Sequence, residues 1–149
     1  AYLYGEHGGT SFGPWSLGTM SSIPIHQDRE SLDNPDKVLM PSLDHEEVEN
    51  YIRKSGGKII SRKGATFYAV AVSVCHICKC IFSGADTTLT VSTMMHGEYG
   101  IDDVCLSTLS IVGPDGISGK LIAPLNDQDV ALLQKSAQSL KDVINAVQI

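Results

Sequence analysis

The stretch from Ala65 to Phe82 constrains this chain most. It is the longest apolar run in the sequence, broken by Ser73, His76 and Lys79. Those polar residues make it a poor membrane span. Val70, Val72 and Val74 alternate as they would in a strand. The run is nevertheless too long for an ordinary strand. Ser73, His76 and Ser83, with Lys79 nearby, line up as a narrow helical stripe. The spacing therefore predicts a helix buried over most of its circumference. Such a helix needs other elements to cover it, and the rest of the chain must supply them.

Strands follow. Leu89 to Met95 has alternating and β-branched character, and Val104 to Val112 continues it. Gly113-Pro114-Asp115-Gly116 is a strong turn signal, with Lys120 to Pro124 as the return strand. Asn126, with Asp129 three residues on, is a helix start. Val130, Leu133, Ala137, Leu140, Ile144 and Val147 give that last helix one apolar face. Two apolar helices in one small domain should cover the same sheet, so Leu133, Leu140 and Ile144 are expected to face Val70, Val74 and Ile77. Upstream, Asp44 and Glu47 form a capping pair for a helix with Val48, Tyr51, Ile52 and Ser55 on one face. Gly56-Gly57 would normally end it. Met20 to Ile25 reads as a short strand. Residues 26–41, with Pro35 and Pro41, read as a surface loop or a short interrupted helix. Strands and helices are segregated, which argues for an α+β fold.

The chain has 149 residues, enough for one domain with a core, and a net charge of -6. That balance gives a nucleic-acid partner no electrostatic support. Cys75, Cys78 and Cys80 crowd one segment while Cys105 stands apart. This is not the pattern of a secreted disulfide framework, and a reducing, cytoplasmic setting is expected. With His76 the cluster invites a metal reading. On one short helix those side chains point in directions that cannot surround a zinc tetrahedrally, so no metal and no disulfide are expected there. His26, His45 and His96 have no partner pattern and read as surface residues.

The chemistry concentrates at the start. Gly5-Glu6-His7-Gly8 places a histidine between glycines at the end of the apolar run Tyr2-Leu3-Tyr4. Imidazole is the side chain best suited to proton transfer near neutral pH. Alone, the pattern more often describes a strand ending in a glycine turn, because a single histidine between glycines is a weak motif. The flanks add to it: Ser11-Phe12-Gly13-Pro14-Trp15-Ser16, then Lys63-Gly64-Ala65-Thr66-Phe67-Tyr68-Ala69, then Gly97-Glu98-Tyr99-Gly100, then Leu125-Asn126-Asp127 to the end. In that order and spacing the chain resembles the carboxy-terminal part of NAD-dependent L-lactate dehydrogenases.

The resemblance implies a carboxy-terminal domain of the lactate/malate dehydrogenase type, a mixed, largely antiparallel sheet packed by long helices. Residues 1–149 would form one substrate-binding and catalytic domain. No Gly-x-Gly-x-x-Gly fingerprint occurs, so the amino-terminal dinucleotide-binding domain is expected to lie outside this chain. A chain that opens on its histidine motif is expected to be a piece of something longer. His7 would be the acid/base of pyruvate–lactate interconversion with NADH. The aspartate that keeps that imidazole charged and the arginine that forks onto the substrate carboxylate belong upstream; Arg29, Arg53 and Arg62 are not in such a step. Thr66 would border the substrate carboxylate while capping the next helix, and Val70 one turn on would wall the nicotinamide ring or join the core. Gly56, usually a small residue in the family, would line the substrate pocket and leave room for a bulkier 2-keto acid, with the two glycines kinking one long helix. Gly9 stands where the family usually has Asp. The whole enzyme would be a homotetramer acting on small 2-keto and 2-hydroxy acids, with no membrane or nucleic-acid partner. Malate or a branched 2-hydroxy acid is the alternative substrate, and a non-catalytic binding or assembly module the alternative class. The isolated chain is expected to fold without turning over.

Overall fold

The computed structural model describes residues 2–20, 22–25 and 44–147. The loop expected at 26–41, and His26 with it, lie outside the described residues. The elements are β1 (Thr19–Met20), β2 (Ile23–Pro24), α1 (His45–Lys63), α2 (Tyr68–Phe82), β3 (Thr87–His96), β4 (Asp102–Gly113), β5 (Gly116–Lys120) and α3 (Asp127–Ala146). β1 and β2 form a small antiparallel ladder of their own. The expected single strand over 20–25 is therefore a tight hairpin. β3, β4 and β5 make a three-stranded antiparallel sheet in that order.

The register of β3 and β4 runs from Thr87 opposite Val112 to Met94 opposite Cys105, with a shift between Met94 and His96. Along β4, Val104, Leu106, Thr108, Ser110 and Val112 are buried in alternation, as a strand with one covered face requires. The return strand β5 begins at Gly116, directly after the turn, and ends at Lys120. The expectation of 120–124 placed it too late. The Gly113–Gly116 pairing closes the hairpin at once, so the strand is consumed before the chain reaches Pro124. At the other end, Lys120 Nζ donates to Glu98 Oε1 at 2.8 Å and also to the Met94 carbonyl. With the Lys120 bond and the His96 N–H on it, the Glu98 carboxyl is held down to about 2 from an ordinary 4.5.

The core lies between this sheet and α3. Leu133 and Ala137 pack with Val104, Leu106, Met95, Ile101, Tyr4 and Phe12. The Asn126 side chain accepts the Asp129 N–H at 2.8 Å, which starts α3 where the sequence indicated. Asp44 accepts the Glu47 N–H at 3.0 Å and starts α1 in the same way. α1 runs unbroken through Gly56 and Gly57 to Lys63. Acidic residues in its first turn and Arg62 and Lys63 in its last complement the helix dipole. Gly64, at φ 79°, ends it in the left-handed conformation that glycine adopts without a Cβ penalty.

Two expectations are corrected. α2 is a helix, but only Cys80 within it is buried. Val70 is 56% exposed and Val74 52%, while Ile77 is half-buried. Ile144 on α3 is exposed too, and Leu140 only skirts the core. The reason is that α3 covers Leu106 and its neighbours through its middle turns, while α2, which also meets β4, buries only Cys80. The start of α2 is also not capped by Thr66: Phe67 is the residue preceding the helix, and no side chain bonds there.

Leu133→Ala should lower the stability of the chain by about 2–5 kcal/mol. Ile144→Ala should cost about 0.5 kcal/mol or less. Urea denaturation of both variants checks the ordering; equal losses would contradict this core.

Candidate functional site

The histidine stands at the tip of a closed loop. Tyr4 and Phe12 exchange backbone hydrogen bonds, N–H to O at 2.9 and 3.1 Å, and both rings are buried. Burial pushes the Tyr4 phenol up to about 12, so it stays neutral beneath the loop. One residue on, Gly5 exchanges a second pair with Ser107 of β4, at 3.1 and 2.9 Å. The loop is thus welded to the sheet at its root, and His7 projects into solvent from it.

Inside the loop the Glu6 carboxylate takes the place of missing backbone partners. Its Oε1 accepts both the Thr10 N–H and the Thr10 hydroxyl at 2.8 Å. The Glu6 N–H is donated to Ser136 Oγ on α3 at 2.7 Å. The Thr10 and Ser136 hydroxyl oxygens are 3.1 Å apart. Gly5 sits at φ +101°, and a Cβ there would come 2.6 Å from Ser136 Oγ. The glycine is needed on both counts.

The far side of the loop is fastened to α1. Arg53 Nη1 donates to the Ser11 carbonyl at 2.8 Å and pairs with Glu49 at 3.0 Å. Glu49 in turn accepts the Trp15 indole N–H at 2.7 Å and the Gly13 N–H at 3.2 Å. The Trp15 ring lies flat on His45, centroids 4.0 Å apart. Ser16 donates to Asp129 at the start of α3. An open groove lined by Trp15, Ser16, His45, Glu49, Asp129 and Leu132 lies along this contact. None of His7, Gly56, Thr66 or Val70 lines it.

Those four residues are distributed as follows. Gly56 is half-buried in mid-α1, three residues after Arg53 and so on the same helix side, with open space where a Cβ would stand. Thr66 is exposed in the link between α1 and α2, and Val70 is exposed in the first turn of α2. Among the described residues no hydrogen bond joins His7 to Thr66. The connection runs from the loop through Arg53 into α1 and on to α2. Sequence reasoning missed Glu6, Thr10, Arg53 and Ser136 as builders of the loop. Ser136 did leave a signal: a hydroxyl between Leu133 and Leu140 at helical spacing, inside the apolar stripe of α3.

In the α2 cluster, Cys80 Sγ lies 3.8 Å from His76 Nε2, Cys75 is exposed and all four cysteines are free. Among the described residues no group of three or more metal-capable side chains gathers. No helix among them is long and apolar enough to cross a membrane.

The arrangement is thus a three-stranded antiparallel sheet under a long last helix, with a Gly-Glu-His-Gly loop bonded to both. Residues 1–148 match the family described as lactate/malate dehydrogenase, alpha/beta C-terminal domain, and the chain belongs to that family. It is 38% identical over 149 residues to the L-lactate dehydrogenase of Acetivibrio thermocellus, covering all of this chain and 46% of that protein. It is 40% identical over 147 residues to the L-lactate dehydrogenase of Thermoanaerobacterium saccharolyticum, covering 99% of this chain and 46% of that one. The chain thus spans about half the length of these relatives. Among solved structures it is similar to an L-lactate dehydrogenase from Clostridium thermocellum, with a TM-score of 0.84 and 30% identity over 99% of this chain and 46% of that one. It is also similar to a malate dehydrogenase from Archaeoglobus fulgidus in complex with NADH, with a TM-score of 0.76 and 27% identity over 94% of this chain and 41% of that one.

Gly5→Ala should cost about 1–3 kcal/mol, because the new Cβ meets both an unfavourable φ and the Ser136 hydroxyl. Thermal unfolding reads it. A neutral substitution would mean the loop does not approach α3 this closely.

Proposed function

We propose that this chain supplies the substrate-binding and catalytic half of an L-lactate dehydrogenase-like oxidoreductase that interconverts pyruvate and L-lactate with NADH and NAD. The observation that carries this reading is the family match over residues 1–148, with His7 at the exposed tip of a braced loop. The relatives at 38% and 40% identity are L-lactate dehydrogenases, which favours pyruvate over oxaloacetate as substrate.

A ring nitrogen of His7 gives its proton to the keto oxygen as the carbonyl carbon is reduced, and takes it back from the hydroxyl in reverse. Thr66 borders the substrate carboxylate. It precedes the N-terminus of α2, whose free N–H groups favour an anion. Val70, apolar and exposed, has the chemistry to pack against the nicotinamide ring of NAD, which when bound supplies or accepts the hydride. Gly56 leaves space on the α1 side for the substrate's own side chain. The cofactor is held mainly by a dinucleotide-binding domain outside residues 1–149, which also brings the carboxylate-binding arginine and the aspartate partner of His7. The complete enzyme works in the cytoplasm as a homo-oligomer, with small 2-keto and 2-hydroxy acids as partners. The apolar side chains of α2 that this chain leaves exposed are covered in that assembly.

The test follows NADH absorbance in the complete protein with pyruvate and with oxaloacetate. Turnover should favour pyruvate, and His7→Ala should lower kcat by about a hundredfold or more, the scale of a positioned general acid. Near-normal turnover by His7→Ala would refute the role of His7. A preference for oxaloacetate would move the substrate to malate.

A further inference from the structure

A loop tip that carries an acid/base has to be held still, and four of the bonds holding this one converge on a single residue pair. Ser136 is fully buried on α3, far from His7 in sequence. Its Oγ is the acceptor for the N–H of Glu6, the residue directly before His7. The Glu6 side chain then closes the other side of the loop, taking the N–H and hydroxyl of Thr10. The Thr10 hydroxyl reaches back to Ser136 Oγ, so the network is a ring rather than a chain. Gly5 has no Cβ, and only that absence lets the backbone come close enough to Ser136 for this bond.

We infer that Ser136 is a positioning residue for His7: through Glu6 and Thr10 it fixes the backbone from which the imidazole projects. This rests on the reading of His7 as the acid/base. Three features support it. The Ser136 hydroxyl interrupts the apolar stripe of α3 between Leu133 and Leu140, where an apolar side chain would pack better. Its acceptor bond goes to the peptide next to His7, not to its own helix. The network leaves the His7 ring free of bonds among the described residues while ordering the residues on both sides. A change at Ser136 should therefore act on the rate of proton transfer more than on binding, since a small misplacement of a reacting group is costly in rate.

The experiment uses the complete protein. Ser136→Ala should lower kcat with pyruvate about tenfold or more while KM for NADH changes less than about twofold. Val112→Ala, at a buried position of β4 outside the cluster that seats α3, is the control for simple loss of stability. Assayed below its melting temperature, it should keep kcat within about twofold of the parent. Added to His7→Ala, the Ser136→Ala change should lower the residual rate no further, because it acts through a group already removed. Hydrogen exchange at the Glu6 amide should quicken about tenfold or more in Ser136→Ala. Unchanged exchange would overturn the anchor itself. Quickened exchange with an unchanged kcat, or a full further loss on the His7→Ala background, would overturn the positioning role. Near-normal activity of His7→Ala alone would remove the reading on which the role rests, and is separately visible.

Discussion

The packing of α3 against the inner face of β4 is the contact on which the other arrangements depend. Leu133 and Ala137 close over Val104 and Leu106, with Tyr4 and Phe12 filling the flank. Burying these side chains stabilises the domain through lost apolar surface, each large one contributing about 1.5–3 kcal/mol. The same contact sets the height of the next turn of α3. That height puts Ser136 under the loop root and Asp129 beside Ser16. The loop therefore inherits its position from a hydrophobic interface, and hydrogen bonds refine it. Polar contacts this short are useful only where the surrounding packing already brings the partners together.

A second brace comes from α1. The helix buries none of its residues, yet Arg53 and Glu49 tie it to Ser11, Gly13 and Trp15. An attachment made through charged side chains and one stacked ring is weaker than a packed core. It does fix which side of α1 faces the loop, and Gly56 lies on that side. From there the backbone passes through the left-handed Gly64 to Thr66 and Val70. The candidate residues are thus strung along one path rather than gathered in one closed cavity of this chain.

Much of the fold was legible in the sequence for local reasons. Asp44 and Asn126 cap helices where the capping pattern put them, because a side-chain acceptor three residues before a free N–H is a local constraint. The Gly113–Gly116 turn likewise carries its geometry in its own residues. What failed was tertiary. The apolar run of α2 reads as a buried helix, but periodicity cannot say what buries it. Within this chain only the end near Cys80 is covered, and Tyr68, Val70, Val72 and Val74 remain more than half exposed. A helix apolar over most of its circumference has the composition of an element covered on most sides. The histidine could be found from its motif, and the role proposed for it came from resemblance. The ring of Glu6, Thr10 and Ser136 could not be read, because it joins residues some 130 positions apart in sequence and depends on where α3 lands.

In the function proposed above, a loop braced by the sheet and the last helix presents His7 to a 2-keto acid. A crystal structure of the complete protein, with the dinucleotide and an unreactive pyruvate analogue bound, measures it most directly. A His7 ring nitrogen should lie within about 2.6–3.2 Å of the oxygen that stands for the keto group. The Glu6 N–H to Ser136 Oγ bond should be kept in that complex. An analogue bound away from His7, or a loop that has left Ser136 to meet its ligand, would contradict this presentation of His7.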